Sequence, residues 1–401
     1  MVSDSSFKPG KIFSVESGSR QNIPRVFISP GRYIQGPEVL KHIGRYLKIL
    51  PSSQPLMLIS ESGRSRFGDS IRESLRENGL IGYFTTFNGE CSLEEINRVL
   101  SEVENNGWTD VDSVVAIGGG KCVDAGKSVA HRLGLPSAIF PSLASNDAPC
   151  SALSVLYSAD GISQGAEFFP NSPAIVAVDT KIVAEAPVRY LVSGMGDAMA
   201  TWYEAKTCFD NPNARTTVGA RPTLAAGAIG QLCAETLYDY GVASILSAEQ
   251  GIVDDALERV VESNTLLSGL GFESGGLAGA HSVAQAFTVI PQVQETYLHG
   301  EMVAFGLLTQ LVFEGNIDEA FKAANFFAEV GLPVNLSQLG VDNSDLESIH
   351  KVMEAARKAS TMQNEPMRLA TSDLVEAAVE VDNMGSKLLS AVGESAYLKL
   401  H

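Results

Sequence analysis

Between Arg25 and Asp179, short β-rich runs alternate with amphipathic helical stretches; after Asp179 the alternation stops. The runs are "RVFIS", "PEVLKHIGRYLKIL", "PLMLIS", "SRFGDSIRESLREN", "IGYFTTF", "SLEEINRVLSEVEN", "VDSVVAI" and, at Pro173 to Asp179, "PAIVAVD". That order predicts an α/β unit built on a largely parallel sheet. Downstream, "DALERVVESNTLLSGLGF", "GEMVAFGLLTQLVFEG" and "LVEAAVEVDNMGSKLL" are apolar at helical spacing only, so an all-α region follows. The reading is therefore a polar extension over 1–24, an α/β domain over 25–187 and a helical domain over 188–401. A chain of 401 residues accommodates about two or three such units.

Charge and cysteine usage narrow the partners. With 47 acidic against 29 basic residues, the net charge of −18 repels nucleic-acid backbones and anionic lipid. No apolar run reaches the roughly 18 residues that span a bilayer, so neither nucleic acid nor membrane is an expected partner. Five scattered cysteines form no C-x-x-C pair, which points to a reducing compartment. Basic residues at Lys8, Lys11, Arg20 and Arg25 are interrupted by Asp4 and Glu16, so cytosol is expected ahead of mitochondrion.

The stretch "SVVAIGGGKCVDAGKSVAHRLG" sets an apolar strand directly before Gly118, Gly119 and Gly120, with a helix from about Lys121 to Arg132. Three glycines let backbone N–H groups approach a ligand, and the helix N-terminus adds partial positive charge, so a pyrophosphate fits there. Lys127 offers a full charge. A tight βα turn that binds nothing has the same sequence, and Asp124 in the first turn favours the helix dipole while opposing an anion. Glu61, after "PLMLIS", stands where an acid takes an adenosine ribose hydroxyl and repels a 2′-phosphate, which favours NAD over NADP. It reads equally as a solvated acid, and Arg64 or Arg66 could accept a phosphate instead.

Two of the six histidines, His281 and His299, flank "SVAQAFTVIPQVQETYL" at the starts of two apolar helices. Asp197, in "SGMGDAMATWYEAK", lies between a glycine pair and a helix. Two imidazoles and a carboxylate form a catalytic zinc set with an open position. Taken singly, each histidine also reads as a packed or capping residue, and Asp197 as an N-cap. Asp147 sits in the polar turn "SNDAP", and the adjacent Cys150 reads as a small buried residue.

Six segments in order make the chain similar to the glycerol dehydrogenases, in the superfamily that holds iron-dependent alcohol dehydrogenases and dehydroquinate synthases. They are "SPGRYIQGPEVL", "IGGGKCVDAGK", "PSLASNDAPCSALSVLY", "APVRYLVSGMGDAMATWYEA", "SGLGFESGGLAGAHS" and "HGEMVAFG", and the resemblance runs from Ile28 onward. It implies an N-terminal dinucleotide-binding domain, a C-terminal helical domain and a zinc ion in the cleft between them. By matching motif, Asp197, His281 and His299 become zinc ligands, Asp147 a hydrogen-bonding partner of a polyol, and Phe272 a wall of the substrate pocket. Gly118 to Lys121 would meet the pyrophosphate, with Ser142, Ser151, Leu153 and Tyr157 flanking the rest of the dinucleotide.

The implied reaction is NAD-dependent oxidation of glycerol, or a related vicinal diol, to dihydroxyacetone by hydride transfer from a zinc-held alkoxide. The implied assembly is a homo-oligomer, dimer or octamer. One departure stands out: relatives read "AHAIHNGLT" where this chain has "AHSVAQAFT", so Ala284 replaces a histidine that is not a ligand. That leaves a non-catalytic metal or nucleotide binder as one rival. A lyase like dehydroquinate synthase and a dehydrogenase of phosphorylated glycerol are two more; both need basic residues around the metal, which "ASNDAPCSA" lacks.

Overall fold

The computed structural model describes residues 7–14, 23–158 and 161–401. In chain order the first part comprises α1 (Pro9–Phe13), β1 (Tyr33–Gly36), α2 (Ile43–Leu47), β2 (Pro55–Ser60), α3 (Glu61–Glu77), β3 (Tyr83–Phe87), α4 (Leu93–Asn105) and β4 (Ser113–Gly118). It continues with α5 (Gly120–Leu133), β5 (Ser137–Pro141), β6 (Leu153–Tyr157), β7 (Ser163–Phe168), β8 (Ile175–Asp179) and α6 (Thr180–Ala184). Six strands form one parallel sheet in the order β1-β8-β5-β4-β2-β3. Because β4 returns beside β2 on the side away from β3, the strand order reverses between them. Open α/β sheets bind ligands beyond the carboxyl ends of their strands at such a reversal. Ile59 pairs with Ile117 and Gly118 with Pro141, so the ends of β2, β4 and β5 lie side by side there.

Alternating side chains fill both faces of the sheet. Met57, Ile59, Val115 and Ile117 pack with Ile43, Leu47, Ile71 and Leu75, whereas Leu56, Leu58 and Val114 pack with Ile96, Val99 and Val129. The run "RVFIS" does not become a sheet strand; it makes a single bridge, Arg25 to Arg221, and the edge strand is Tyr33–Gly36. Helix does not begin at once after it, because Glu38 takes a φ of 61° and the Asp179 carboxylate captures the N–H groups of Glu38 and Leu40 at 3.0 and 2.9 Å. β6 and β7 form a separate antiparallel ribbon, and its second strand carries no sequence pattern that announced it. Of the polar extension, residues 1–6 and 15–22 lie outside the described residues; the Ser14 hydroxyl donates to the Gly219 carbonyl at 3.1 Å.

From Val188 the chain is helical: α7 (Val188–Asp210), α8 (Leu224–Glu249), α9 (Asp255–Glu262), α10 (Ser268–Gly275), α11 (Gly279–Phe287), α12 (Pro291–Thr296), α13 (His299–Phe313), α14 (Ile317–Val330), α15 (Leu346–Lys358), α16 (Thr371–Val392) and α17 (Ser395–Leu400). The stretch that reads as one helix from Asp255 to Phe272 contains a π-helical turn at Ser263–Leu267. In that turn Asn264 donates to the carbonyls of Ala144 and Leu191, both at 2.9 Å, tying the loop after β5 to α7. α13 is the central helix, with every residue from Gly300 to Val312 buried. Among the described residues no helix is long and apolar enough to cross a membrane.

Candidate active site

Asp197 is not a cap: it lies in the middle of α7, nine residues after the helix begins, and its carboxylate is fully buried. The glycines around it serve helix packing. A Cβ on Gly194 would overlap the Ala144 carbonyl, one on Gly196 the Gly300 carbonyl, and one on Gly300 the Ser193 carbonyl. α7 and α13 therefore touch backbone to backbone, and Gly300 N donates to the Ser193 hydroxyl at 3.2 Å. That close approach brings His299, the first residue of α13, over Asp197. His281 enters from the first turn of α11.

The three groups converge, each offering one atom within 4.8 Å of the others. Asp197 Oδ1 is 3.2 Å from His281 Nε2 and 3.5 Å from His299 Nε2, and the ring centroids are 5.5 Å apart. Buried Oδ1 makes no hydrogen bond of good geometry, although two imidazole nitrogens face it. A buried acceptor without a partner is costly, and a cation among these three donors would satisfy it, so the residues fit a metal ion. The other oxygen, Oδ2, accepts the Asp147 backbone N–H at 3.1 Å, which fixes the "SNDAP" turn beside the cluster.

Charge is concentrated here. Burial, with the Asp197 carboxylate next, pushes the Asp147 carboxyl well above the usual range. Burial works against a charged His281, yet Glu204 and Asp197 outweigh it and hold the ring's pKa well above its ordinary value. Neighbouring carboxylates thus add to the effect of burial at Asp147 and overcome it at His281, and a divalent cation would relieve that negative charge.

The dinucleotide candidates are divided by the fold. Gly118 ends β4, Gly119 caps α5, and Gly120 opens it, with the Asn146 amide 2.6 Å from where a Cβ would stand. Gly126 has no room for a Cβ against Ala116, so α5 lies directly on β4. Ser142 N donates to the Gly118 carbonyl at 2.9 Å. Glu61 is the exposed first residue of α3, at the end of β2 beside the glycine turn. Lys121, at the start of α5, pairs with Glu90 at 2.6 Å and sits 5.1 Å from the centre of the Tyr157 ring.

Asp124 and Lys127 point inward instead. Lys127 is 3% exposed; its ammonium lies 2.9 Å from Asp124 and donates to Ala148 O at 2.8 Å and Ser151 Oγ at 3.1 Å. Asp124 Oδ2 accepts Val155 N at 2.9 Å. The pair joins α5 to β6 and to the Asp147 turn, so the charge of this acid near the helix start is turned inward and matched. Ser151 is fully buried in the same knot, and Leu153 begins β6 beyond it. Phe272 is buried in α10, whose Gly269 packs against Cys150 and the Asp147 carbonyl. Ala284 is fully buried in the helical core.

Sequence reasoning missed Glu204, whose Oε2 lies 2.5 Å from His281 Nδ1, and Glu273, which accepts Ala152 N at 2.9 Å. A signal for the first existed: Glu204 follows Asp197 by seven residues, two helical turns, and so shares its face.

The iron-containing alcohol dehydrogenase profile matches residues 30–180. The chain is 44% identical to a glycerol dehydrogenase of Escherichia coli O6:H1 over 369 residues, covering 91% of this chain and 98% of that one. It is 42% identical to a glycerol dehydrogenase of Thermotoga maritima, covering 89% and 97%. The crystal structure of glycerol dehydrogenase from Schizosaccharomyces pombe superposes with a TM-score of 0.87 at 35% identity, covering 92% and 93%. With such similarity covering about nine-tenths of its length, the chain belongs to the glycerol dehydrogenase family of the iron-containing alcohol dehydrogenases.

Proposed function

We propose that the protein oxidises glycerol, or a closely related vicinal diol, to the hydroxyketone with NAD, and that zinc is held by Asp197, His281 and His299. The observation that carries this reading is the buried, unsatisfied Asp197 Oδ1 facing two imidazoles. In the reaction the C2–H bond breaks, its hydrogen and electron pair pass to the nicotinamide ring, and the hydroxyl proton leaves separately, giving ketone, NADH and a proton. Zinc bound at this centre supplies Lewis acidity that lowers the pKa of the reacting hydroxyl. Asp147, anchored through its own N–H to Asp197, orients a terminal hydroxyl of the substrate. The N–H groups of the glycine turn receive the pyrophosphate at the start of α5, and exposed Glu61 takes the ribose hydroxyl and disfavours NADP. Phe272 supplies an apolar wall, and Lys121, Ser142, Leu153 and Tyr157 border the cofactor.

A lyase or phosphorylated substrate has no counterpart here. The acids Asp147 and Asp197 dominate the cluster, and the one buried lysine near it is matched by Asp124. The exposed stripe Leu224, Leu232 and Leu246 on α8 supports a homo-oligomer, which light scattering tests. The deciding experiment follows NADH absorbance with glycerol and NAD, alongside metal analysis. About one zinc per chain and loss of turnover on chelation are expected; full glycerol oxidation by metal-free protein, or stoichiometric iron, overturns the reading or its metal.

A further inference from the structure

We infer that Glu204 is a positioning residue for the metal centre, setting which nitrogen of His281 is free to bind. The inference rests on the metal reading above. Glu204 is fully buried on α7, two turns beyond Asp197, and its two oxygens meet three donors at the start of α11. Oε1 accepts Ala278 N at 2.7 Å and His281 N at 3.0 Å, while Oε2 faces His281 Nδ1 at 2.5 Å. One carboxylate thus grips both the backbone and the ring of the same histidine.

The neighbouring contacts separate this role from capping. The first N–H groups of a helix have no partner within it. Here each is answered by a buried side chain from elsewhere: Ala278 and His281 by Glu204, Gly279 by Glu365 at 2.8 Å, and Ala280 by Gln310 at 2.8 Å. Glu365 and Gln310 cap the helix without a hydrogen bond to the imidazole; Glu204 does both. With Nδ1 held by Glu204, Nε2 is the nitrogen left facing Asp197 Oδ1 and His299, so a metal ion there would displace any proton on Nε2, and the ring cannot turn without breaking the short contact. α7 thereby supplies one ligand directly and orients a second.

The test measures zinc affinity by competition with a chromophoric chelator, using the full chain. Glu204→Gln retains shape, but its single carbonyl oxygen cannot serve three donors that faced two oxygens. The expected loss is about 10–100-fold in zinc affinity. Gln310→Ala, which removes a cap without touching the ring, is expected to leave zinc affinity unchanged while lowering the melting temperature. Unchanged affinity in Glu204→Gln, or an equal loss in both variants, overturns the assignment of Glu204 alone. Absence of stoichiometric zinc in the wild type overturns the metal reading and Glu204 with it. A second measurement needs no variant: in the zinc-loaded wild type, nitrogen NMR of labelled histidine should show His281 protonated at Nδ1 and coordinated through Nε2. Coordination through Nδ1 overturns the proposal.

Discussion

Asp197 shows how little a residue's neighbours in sequence say about its task. Preceded by two glycines, it resembles a helix start, yet it is a buried mid-helix acid with one oxygen hydrogen-bonded and the other facing two imidazoles. Replacing Asp197 or His281 by Ala should abolish metal binding and leave NADH affinity within about 2–3-fold, because the glycine turn is separate; metal analysis and NADH fluorescence titration read the two arms. Glu273 is a different buried acid, pushed up to about 7 by burial, with the Ala152 N–H and Lys127 opposing. Its folded value exceeds the unfolded one, about 4.3, so the folded chain keeps a proton that the unfolded chain has lost. Stability from this group is full below the unfolded value and declines as pH rises toward about 7. Glu273→Gln, which keeps the acceptor for Ala152, should reduce that decline by about 1–3 kcal/mol, seen by urea unfolding at acid and neutral pH.

Among the elements, the decisive contact is α7 against α13. Alanine at a helix position normally gains up to about 1 kcal/mol over glycine. At Gly300 that gain is overridden, since its Cβ would overlap the Ser193 carbonyl; Gly300→Ala should lose about 1–3 kcal/mol and weaken metal binding by moving His299 away from Asp197. Gly227→Ala on α8 is the opposite case, with the nearest atom of Phe209 3.8 Å from the new Cβ, and should gain up to about 1 kcal/mol. Thermal unfolding of the two variants checks both signs. The π turn at Ser263–Leu267 has a comparable positioning effect, because its Asn264 bridges the loop that carries Asp147 and the helix that carries Asp197.

At the scale of the whole molecule, a metal ion would join three helices that the chain reaches far apart, next to a turn belonging to the sheet half. A ligand that binds only the folded chain stabilises it by about 2.7 kcal/mol at a hundred times its dissociation constant. Zinc should therefore raise the melting temperature by several degrees, and a chelator should reverse the rise. Periodicity alone disclosed the succession of a parallel α/β half and a helical half, and the strand, glycine turn and helix around Gly118, since these depend on residues within a few positions of one another. The motif resemblance supplied Asp197, His281 and His299 as a set. Local pattern read "RVFIS" as a β run, where the fold gives it a single bridge, and gave no sign of β7, because pairing depends on which distant segment lies alongside. It also made Lys127 a free cation, whereas the fold encloses it with Asp124 and Ser151. Composition and short-range order thus determined the classes of structure and the chemical types available. Only the tertiary structure decided which charges are matched and which are left facing the site, since Asp147, Asp197, Glu204 and His281 acquire their partners across 50 to 77 residues of chain.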